Sequence, residues 1–385
     1  MTRAPAPELT KVEARRILLH ASGLDREWPV GAEGCRAVLD QLGCIQLDPI
    51  DRMGTNADLV VNARVDGTVR GDLHRAVAGH AFEHFAKERC LLHARFFPHY
   101  RGRAVQARWW RHTERMKKVD DGLVADVLAE VRDRGPLTPH QLEDRGKVEP
   151  LSWDGWSGTS KASSIALEVL WTRCELVVGG RDAKGRRVYD LPVRALGAWA
   201  VAEPVGSFEE ELLLARVAVA GLLTRSTGPQ WSMLSDVRTD GTVDRLVADG
   251  RLLERRVGRR PYLTLPRYLD PPPAVPRRPR ALGPLDPFVW DRQLIEEIYG
   301  FAYTWDVYKP AAQRQFGWYV VPVLADGELV GRIEAVREEG RLRLVNAWGL
   351  ESVVRDEVFA HLCLLNGAVL PQKQPRRARK KAEEQ

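Results

Sequence analysis

Apolar residues recur at helical spacing in LTKVEARRILLHASGL and in GCRAVLDQLG, which predicts two amphipathic helices near the start of the chain. The next apolar segment, CIQLDPI, alternates instead and reads as a short strand stopped by Pro49. GTVRGDLHRAVAG predicts a third helix, while AFEHFAKERCLL fits strand or helix equally. From Asp121 onward one pattern occurs twice. VADVLAEVRDRG leads through PLTPHQL to the helix KASSIALEVLWTRC, then to strands ELVVGG and RRVYDL around a turn at 182–185. Likewise a helix over 208–220 is followed by LTR, a short helix near 232–237 and TDGTVDRLVADG. Strands LLERRV and PYLTL then close around Gly258-Arg259-Arg260. Thr138 and Thr242 sit where a helix N-cap is useful.

The stretch PRYLDPPPAVPRRPRALGPLDP interrupts this order, because repeated prolines exclude helix and sheet interiors and favour extended backbone. It reads as a semi-rigid strap. Beyond it FGWYVVPVL, ELVGRIEAV and RLRLVNAWGL alternate as strands, broken by turns at Asp326-Gly327 and Glu339-Gly340. A β-rich domain over 281–372 follows, and a basic tail from 373 to 385 with no apolar periodicity, expected to be disordered. Three helices followed by a hairpin is the winged-helix pattern, in which one helix enters a groove and the hairpin reaches adjacent backbone. The chain therefore divides into units at 1–118, 119–203 and 204–265, a strap at 266–280, the β-rich domain and the tail.

Composition sharpens this only in part. The chain has 385 residues, 44% hydrophobic and 29% charged, enough to bury several cores. Lys plus Arg outnumber Asp plus Glu by 58 to 52, which permits nucleic-acid binding without demanding it. Winged units also serve as protein scaffolds, but both hairpin tips are basic. One carries Arg181, Lys184, Arg186 and Arg187, and the other Arg255, Arg256, Arg259 and Arg260. These, with Lys161 just ahead of a recognition helix, are candidate DNA contacts, a solvated charged turn being the plainer reading of either tip alone. The five cysteines are scattered, never in a CxxC pair, and imply a reducing compartment. No apolar leader opens the chain, and the longest apolar stretch, 212–223, is interrupted by Arg216. A soluble cytoplasmic protein, associated with the nucleoid if it binds DNA, is expected.

The candidate chemistry lies in CIQLDPI. On a strand Ile45 and Leu47 face one way, and Gln46 and Asp48 the other, about 7 Å apart. An amide and a carboxylate so placed can pin a water, the carboxylate taking its proton and the amide fixing its orientation. The same spacing fits an exposed edge on which Asp48 merely caps a turn.

GCIQLDPI, WDGWSGTSKASSIALEVLWTRCELVVGGR, RRVYDLP, LDPFVWDRQLIEEIYGFAYTWDVYKP and GWYVVPVLADGELVGRIEA together resemble the AlkZ-like (YcaQ-like) winged-helix DNA glycosylases, from about Leu9 to Pro371. The run from LDPFVWDR to VGRIE is the most specific part. The resemblance implies a mainly α fold with β, built from three tandem winged-helix domains and a C-terminal β-barrel-like domain. It also implies monomeric excision of N7-alkylated purines from double-stranded DNA, in some members from bulky adducts or interstrand crosslinks, in repair or self-resistance. The family's catalytic signature, Gln, an apolar residue, then Asp or Gln, falls on Gln46, Leu47 and Asp48. No cofactor, metal or amine nucleophile is implied, hence no strand cleavage. Two departures stand out. Where the family carries Arg-Ala-His-His this chain has Thr55-Asn56-Ala57-Asp58, and where it carries apolar–Ala–His–Glu this chain has Phe85-Ala86-Lys87-Glu88. Asn56 and Lys87 are then DNA contacts or ordinary surface residues. A regulator that binds DNA without reacting, or a protein that shields adducts, suits tandem winged helices equally.

Other motifs carry less. His80-Ala81-Phe82-Glu83-His84 has H-x-x-E-H spacing, but zinc ligation needs both histidines on one helix face. GxxxxGK[ST], GxGxxG and GxSxG are all absent. Trp153 and Trp156 with Lys161 form an aromatic–basic cluster that suits core packing or DNA. Trp290, Asp291 and Arg292 either face the cleft or fasten the β-domain to the helices.

Overall fold

The structure, a computed structural model, describes residues 6–103, 110–149, 159–273, 275 and 278–368. The first unit holds α1 (Lys11–Ala21), α2 (Gly31–Leu42), β1 (Cys44–Gln46), α3 (Asn56–Asn62), α4 (Asp72–Ala76), β2 (Ala81–Ala86) and β3 (Glu88–His93). Next come α5 (Phe97–Arg103), α6 (Trp110–Met116), α7 (Asp121–Arg134), β4 (Lys147–Val148), β5 (Ser160–Lys161), α8 (Ala162–Thr172), β6 (Val177–Arg181), β7 (Arg187–Asp190) and α9 (Pro192–Leu196). Then follow α10 (Phe208–Ala220), β8 (Leu223–Thr224), α11 (Thr242–Ala248), β9 (Leu253–Val257) and β10 (Arg260–Thr264). The C-terminal part has β11 (Arg280–Ala281), α12 (Arg292–Tyr299), β12 (Val321–Ala325), β13 (Glu328–Glu338), β14 (Arg341–Trp348) and α13 (Ser352–Leu365).

AFEHFAKERCLL, ambiguous in sequence, is the hairpin β2–β3, turned at Lys87 by Glu88 with φ 58°. It pairs with β1 in the order β1-β3-β2, and β8, β10 and β9 repeat that first-third-second order. Glu83, His84 and Phe85 are buried on both faces of β2, so polar and apolar residues intermix and the binary pattern is lost. Residues 232–237, expected to be helical, form turns after a 3-10 turn at Pro229–Trp231 instead. Met233 takes φ 66° there, which a helix does not accept.

The C-terminal sheet corrects a second expectation. Its four antiparallel strands run β11-β12-β13-β14, and among the described residues it does not close into a barrel. It is bent by register shifts at Val323/Leu324 and Glu334/Ala335, and α13 lays Val358, Leu362 and Leu365 on its inner face. That face also receives Met53 and Leu59 from the first unit. Three apolar clusters result. One joins the first unit, α10, β8–β10 and α12, a second surrounds α7 and α8, and the third belongs to the C-terminal sheet. The strap runs beside α1, where Val275 N donates to Asp25 O at 2.8 Å and Arg16 reaches Pro271 O at 2.9 Å. Among the described residues no helix is long and apolar enough to cross a membrane.

Candidate active site

β1 is three residues long because its ladder with β3 runs out. Ile45 pairs with Leu91 and Gln46 with Cys90, and a last backbone bond joins Leu47 N to Arg89 O at 2.8 Å before Pro49. The alternation expected for Gln46 and Asp48 therefore stops between them. Gln46 ends the strand, and Asp48 opens a turn in which its Oδ1 accepts from Ile50 N at 2.8 Å. That turn-capping role was the plainer of the two sequence readings. It occupies one carboxylate oxygen and leaves the other without a hydrogen bond among the described residues.

Gln46 is 7% exposed and gripped from two sides. Its backbone oxygen accepts from Asn56 Nδ2 at 2.8 Å, and its side-chain Oε1 accepts from Lys87 Nζ at 3.0 Å. An ammonium only donates, so it fixes which end of the amide is oxygen and turns the NH2 end away from itself. Lys87 sits at the β2–β3 turn, 7% exposed, with its ammonium 5.0 Å from the centre of the Trp290 ring. Burial pulls its pKa down to about 8, and the buried Arg216 guanidinium acts in the same direction. Burial likewise raises the Asp48 carboxyl above its ordinary value, against the opposing Ile50 N–H.

The residues around this pair come from distant parts of the chain. Thr55 and Asp58 form a capping box that starts α3 directly after the Asp48 turn. This places Asn56 at the first helical position, fully buried, where its Oδ1 accepts from Leu285 N at 3.0 Å. Gly283 approaches so closely that a Cβ there would lie 2.5 Å from Asn56 Oδ1. Asn56 thus ties the segment just after the strap to the end of β1, and neither it nor Lys87 lies on the surface; both departures from the resemblance are interior residues that act on Gln46. The segment carrying Leu285 is welded down by Asp286, which pairs with Arg64 at 2.7 and 3.0 Å, both side chains fully buried. Trp290 closes the loop through Nε1 to Leu285 O at 2.9 Å, and Asp291 caps α12. Trp290 therefore both faces the site and fastens the segment.

Tyr319 lies within range of the Asp48 charge and meets Trp305 edge-to-face at 5.8 Å between ring centroids. Tyr319 is fully buried, its hydroxyl has no hydrogen-bond partner, and burial followed by the Asp48 charge pushes its phenol far up. Trp305 Nε1 is also buried and unpartnered. Two orphaned donors thus sit on neighbouring rings, Tyr319 within range of the Asp48 charge. The sequence singled out neither residue as functional. The alternation of GWYVVPVL shows Tyr319 to be interior, but not what it faces.

The wing residues separate into two groups. Lys184 and Arg259 are exposed at their turns. Arg186 is held by Asp182 at 2.6 Å on its own turn, and Arg260 bonds Gln293. Arg181 and Arg187 point inward instead. Both pair with Glu83 on β2, and Arg187 also reaches Glu168 at 3.0 Å. They hold the second unit's hairpin to the first unit's sheet, a use invisible to a count of basic residues. Arg255 Nη1 donates to Glu254 O at 2.8 Å, and Arg256 binds Glu8 at 3.0 Å. Lys161 is half-buried at the start of α8, and Trp153 and Trp156 lie outside the described residues. Of the H-x-x-E-H spacing, His80 lies in the turn before β2 and Glu83 and His84 on that strand, not on a helix. There Glu83 meets arginines while His84 packs on Trp171, its pKa lowered by burial to about 4. Among the described residues no group of three or more His, Cys, Asp or Glu could hold a metal ion.

A family model described as DNA glycosylase AlkZ-like matches residues 39–365. The fold is similar to that of the DNA glycosylase AlkZ of Streptomyces sahachiroi, with a TM-score of 0.61 and 19% sequence identity over 94% of this chain and 97% of that one.

Proposed function

The chain belongs to the DNA glycosylase AlkZ-like family, and from that premise we propose that it is a monofunctional glycosylase for N7-alkylated purines, with Asp48 and Gln46 as its catalytic pair. Alkylation at N7 makes the purine a cation and a good leaving group, so the protein needs to stabilise an oxocarbenium-like sugar and supply water. The observation that carries this reading is the Gln46 amide held NH2-outward by Lys87, two residues ahead of a carboxylate with one oxygen to spare. A water accepting from Gln46 Nε2 and donating to Asp48 would turn a lone pair toward C1′. The carboxylate then takes the proton, a contribution of about 10²–10⁴-fold, and offsets the sugar's developing charge.

In this reading the units 1–118, 119–203 and 204–265 are three winged helices across which duplex DNA lies, contacted by Lys184, Arg186, Arg259, Arg260 and Lys161. Asn56, Lys87, Arg181 and Arg187 support the site from within. Bulky adducts and interstrand crosslinks are candidate substrates, because a lesion held against an open face need not be extruded fully; self-resistance to an alkylating toxin is the matching role. The protein acts as a monomer without a cofactor, inside the cell. Lys87 serves as an amide clamp, and its protonated form is no nucleophile for a Schiff base.

The test is incubation of purified protein with duplex containing N7-methylguanine, with free base followed by chromatography. Release by wild type, and a drop of about 10²-fold or more in Asp48→Asn and Gln46→Ala, is the expected result. Equal rates in all three would sink the site. Tight binding with no release by wild type would point to a regulator or an adduct shield. Borohydride trapping of the protein on abasic DNA would overturn the monofunctional reading.

A further inference from the structure

Trp305 meets Tyr319 edge-to-face at 5.8 Å and packs against two apolar clusters, one holding Leu47 and one holding Ile50, residues on either side of Asp48 in sequence. Three residues on, Tyr308 stands edge-to-face to Trp305 at 6.0 Å and is 81% exposed. Its loop is tightly braced. Lys309 Nζ pairs with Asp306 at 2.8 Å, Trp318 Nε1 donates to Val307 O at 2.8 Å, and Arg314 Nε donates to Lys309 O at 2.8 Å. A braced loop thus offers a bare aromatic ring to solvent, one ring removed from Tyr319. The Asp48 charge reaches that ring, since burial and then the carboxylate raise the Tyr308 phenol.

We propose that Tyr308 is a specificity-determining residue that stacks on the modified purine and holds it over Asp48. The inference rests on the glycosylase reading above and names what that site selects, a positively charged base. The face of a phenol ring attracts a cation, so an N7-alkylated purine gains both stacking and cation–π attraction, whereas an unmodified purine gains stacking alone. The hydroxyl is not needed; the ring is.

The experiment measures binding of wild type, Tyr308→Phe and Tyr308→Ala to two duplexes. One carries 2′-fluoro-N7-methylguanosine, whose glycosidic bond resists hydrolysis, and the other carries guanosine at the same place. Base release from N7-methylguanine duplex is followed in parallel. Because the side chain is exposed, thermal unfolding of both variants should match wild type. Tyr308→Phe is expected to bind the lesion within about twofold of wild type, and Tyr308→Ala about 5- to 100-fold more weakly, with a much smaller loss on the guanosine duplex. Equal lesion binding by Tyr308→Ala and wild type, or equal losses on both duplexes, overturns the proposal while leaving an active wild type in place. A wild type that neither releases base nor distinguishes the duplexes overturns the glycosylase reading and this inference with it.

Discussion

Replacing Lys87 with Met removes a buried charge while keeping the aliphatic length, and its consequence for stability depends on pH. Lys87 is 7% exposed, and burial lowers its pKa from 10.5 in the unfolded chain to about 8. Below about 8 the lysine is charged in both states, and the folded protein bears the full cost of the buried ammonium. Between about 8 and 10.5 the unfolded chain binds the extra proton, so stability rises with pH. Relative to K87M, wild type should therefore gain about 2 kcal/mol between about pH 7 and pH 9.5. Subtracting the variant removes the titrations that both proteins share. It also removes the pH-independent cost of leaving Gln46 Oε1 without its donor. Urea unfolding of both proteins at the two pH values measures the difference. A difference flat to within about 0.5 kcal/mol would show that the ammonium is hydrated, and the clamp on Gln46 would lose its physical basis. K87M should also release base more slowly than wild type below about pH 8, where the ammonium orients the amide, and the gap should close above it as Lys87 loses its charge.

Three further outcomes follow from the same geometry. Base release should be bell-shaped in pH, falling on the acid side as Asp48 protonates through its raised value and on the alkaline side above about 8 as Lys87 loses its charge; a profile level across both limbs contradicts the assignment. Asp286→Ala strands the fully buried Arg64 guanidinium and should cost about 3–5 kcal/mol in denaturant unfolding, whereas a loss under 1 kcal/mol would show the pair to be dispensable. Lys184→Ala and Arg259→Ala should each flatten the salt dependence of duplex binding by about one unit of log–log slope with unchanged melting temperature. Arg181→Ala should instead lower the melting temperature, since its partner Glu83 is 2% exposed.

The local pattern of the chain determined a good deal. Helices α1, α2, α7, α8 and α10, the hairpin β6–β7, the hairpin β9–β10 and the proline strap follow from periodicities and turn residues confined to a few positions, where sequence neighbours are also spatial neighbours. The pair Gln46 and Asp48 was visible for the same reason, as an amide and a carboxylate two residues apart. Tertiary structure decided what that pair can do. Lys87 is 41 residues from Gln46, and Asp286 is 222 residues from Arg64. No spacing rule reaches across such separations, so the amide clamp and the weld were unreadable beforehand. The wing arginines show the converse. A guanidinium at a hairpin tip looks the same in sequence whether it faces solvent or a carboxylate on another sheet. Only the docking of β2 against the second unit, which buries Glu83, sends Arg181 and Arg187 inward and leaves Lys184 in water.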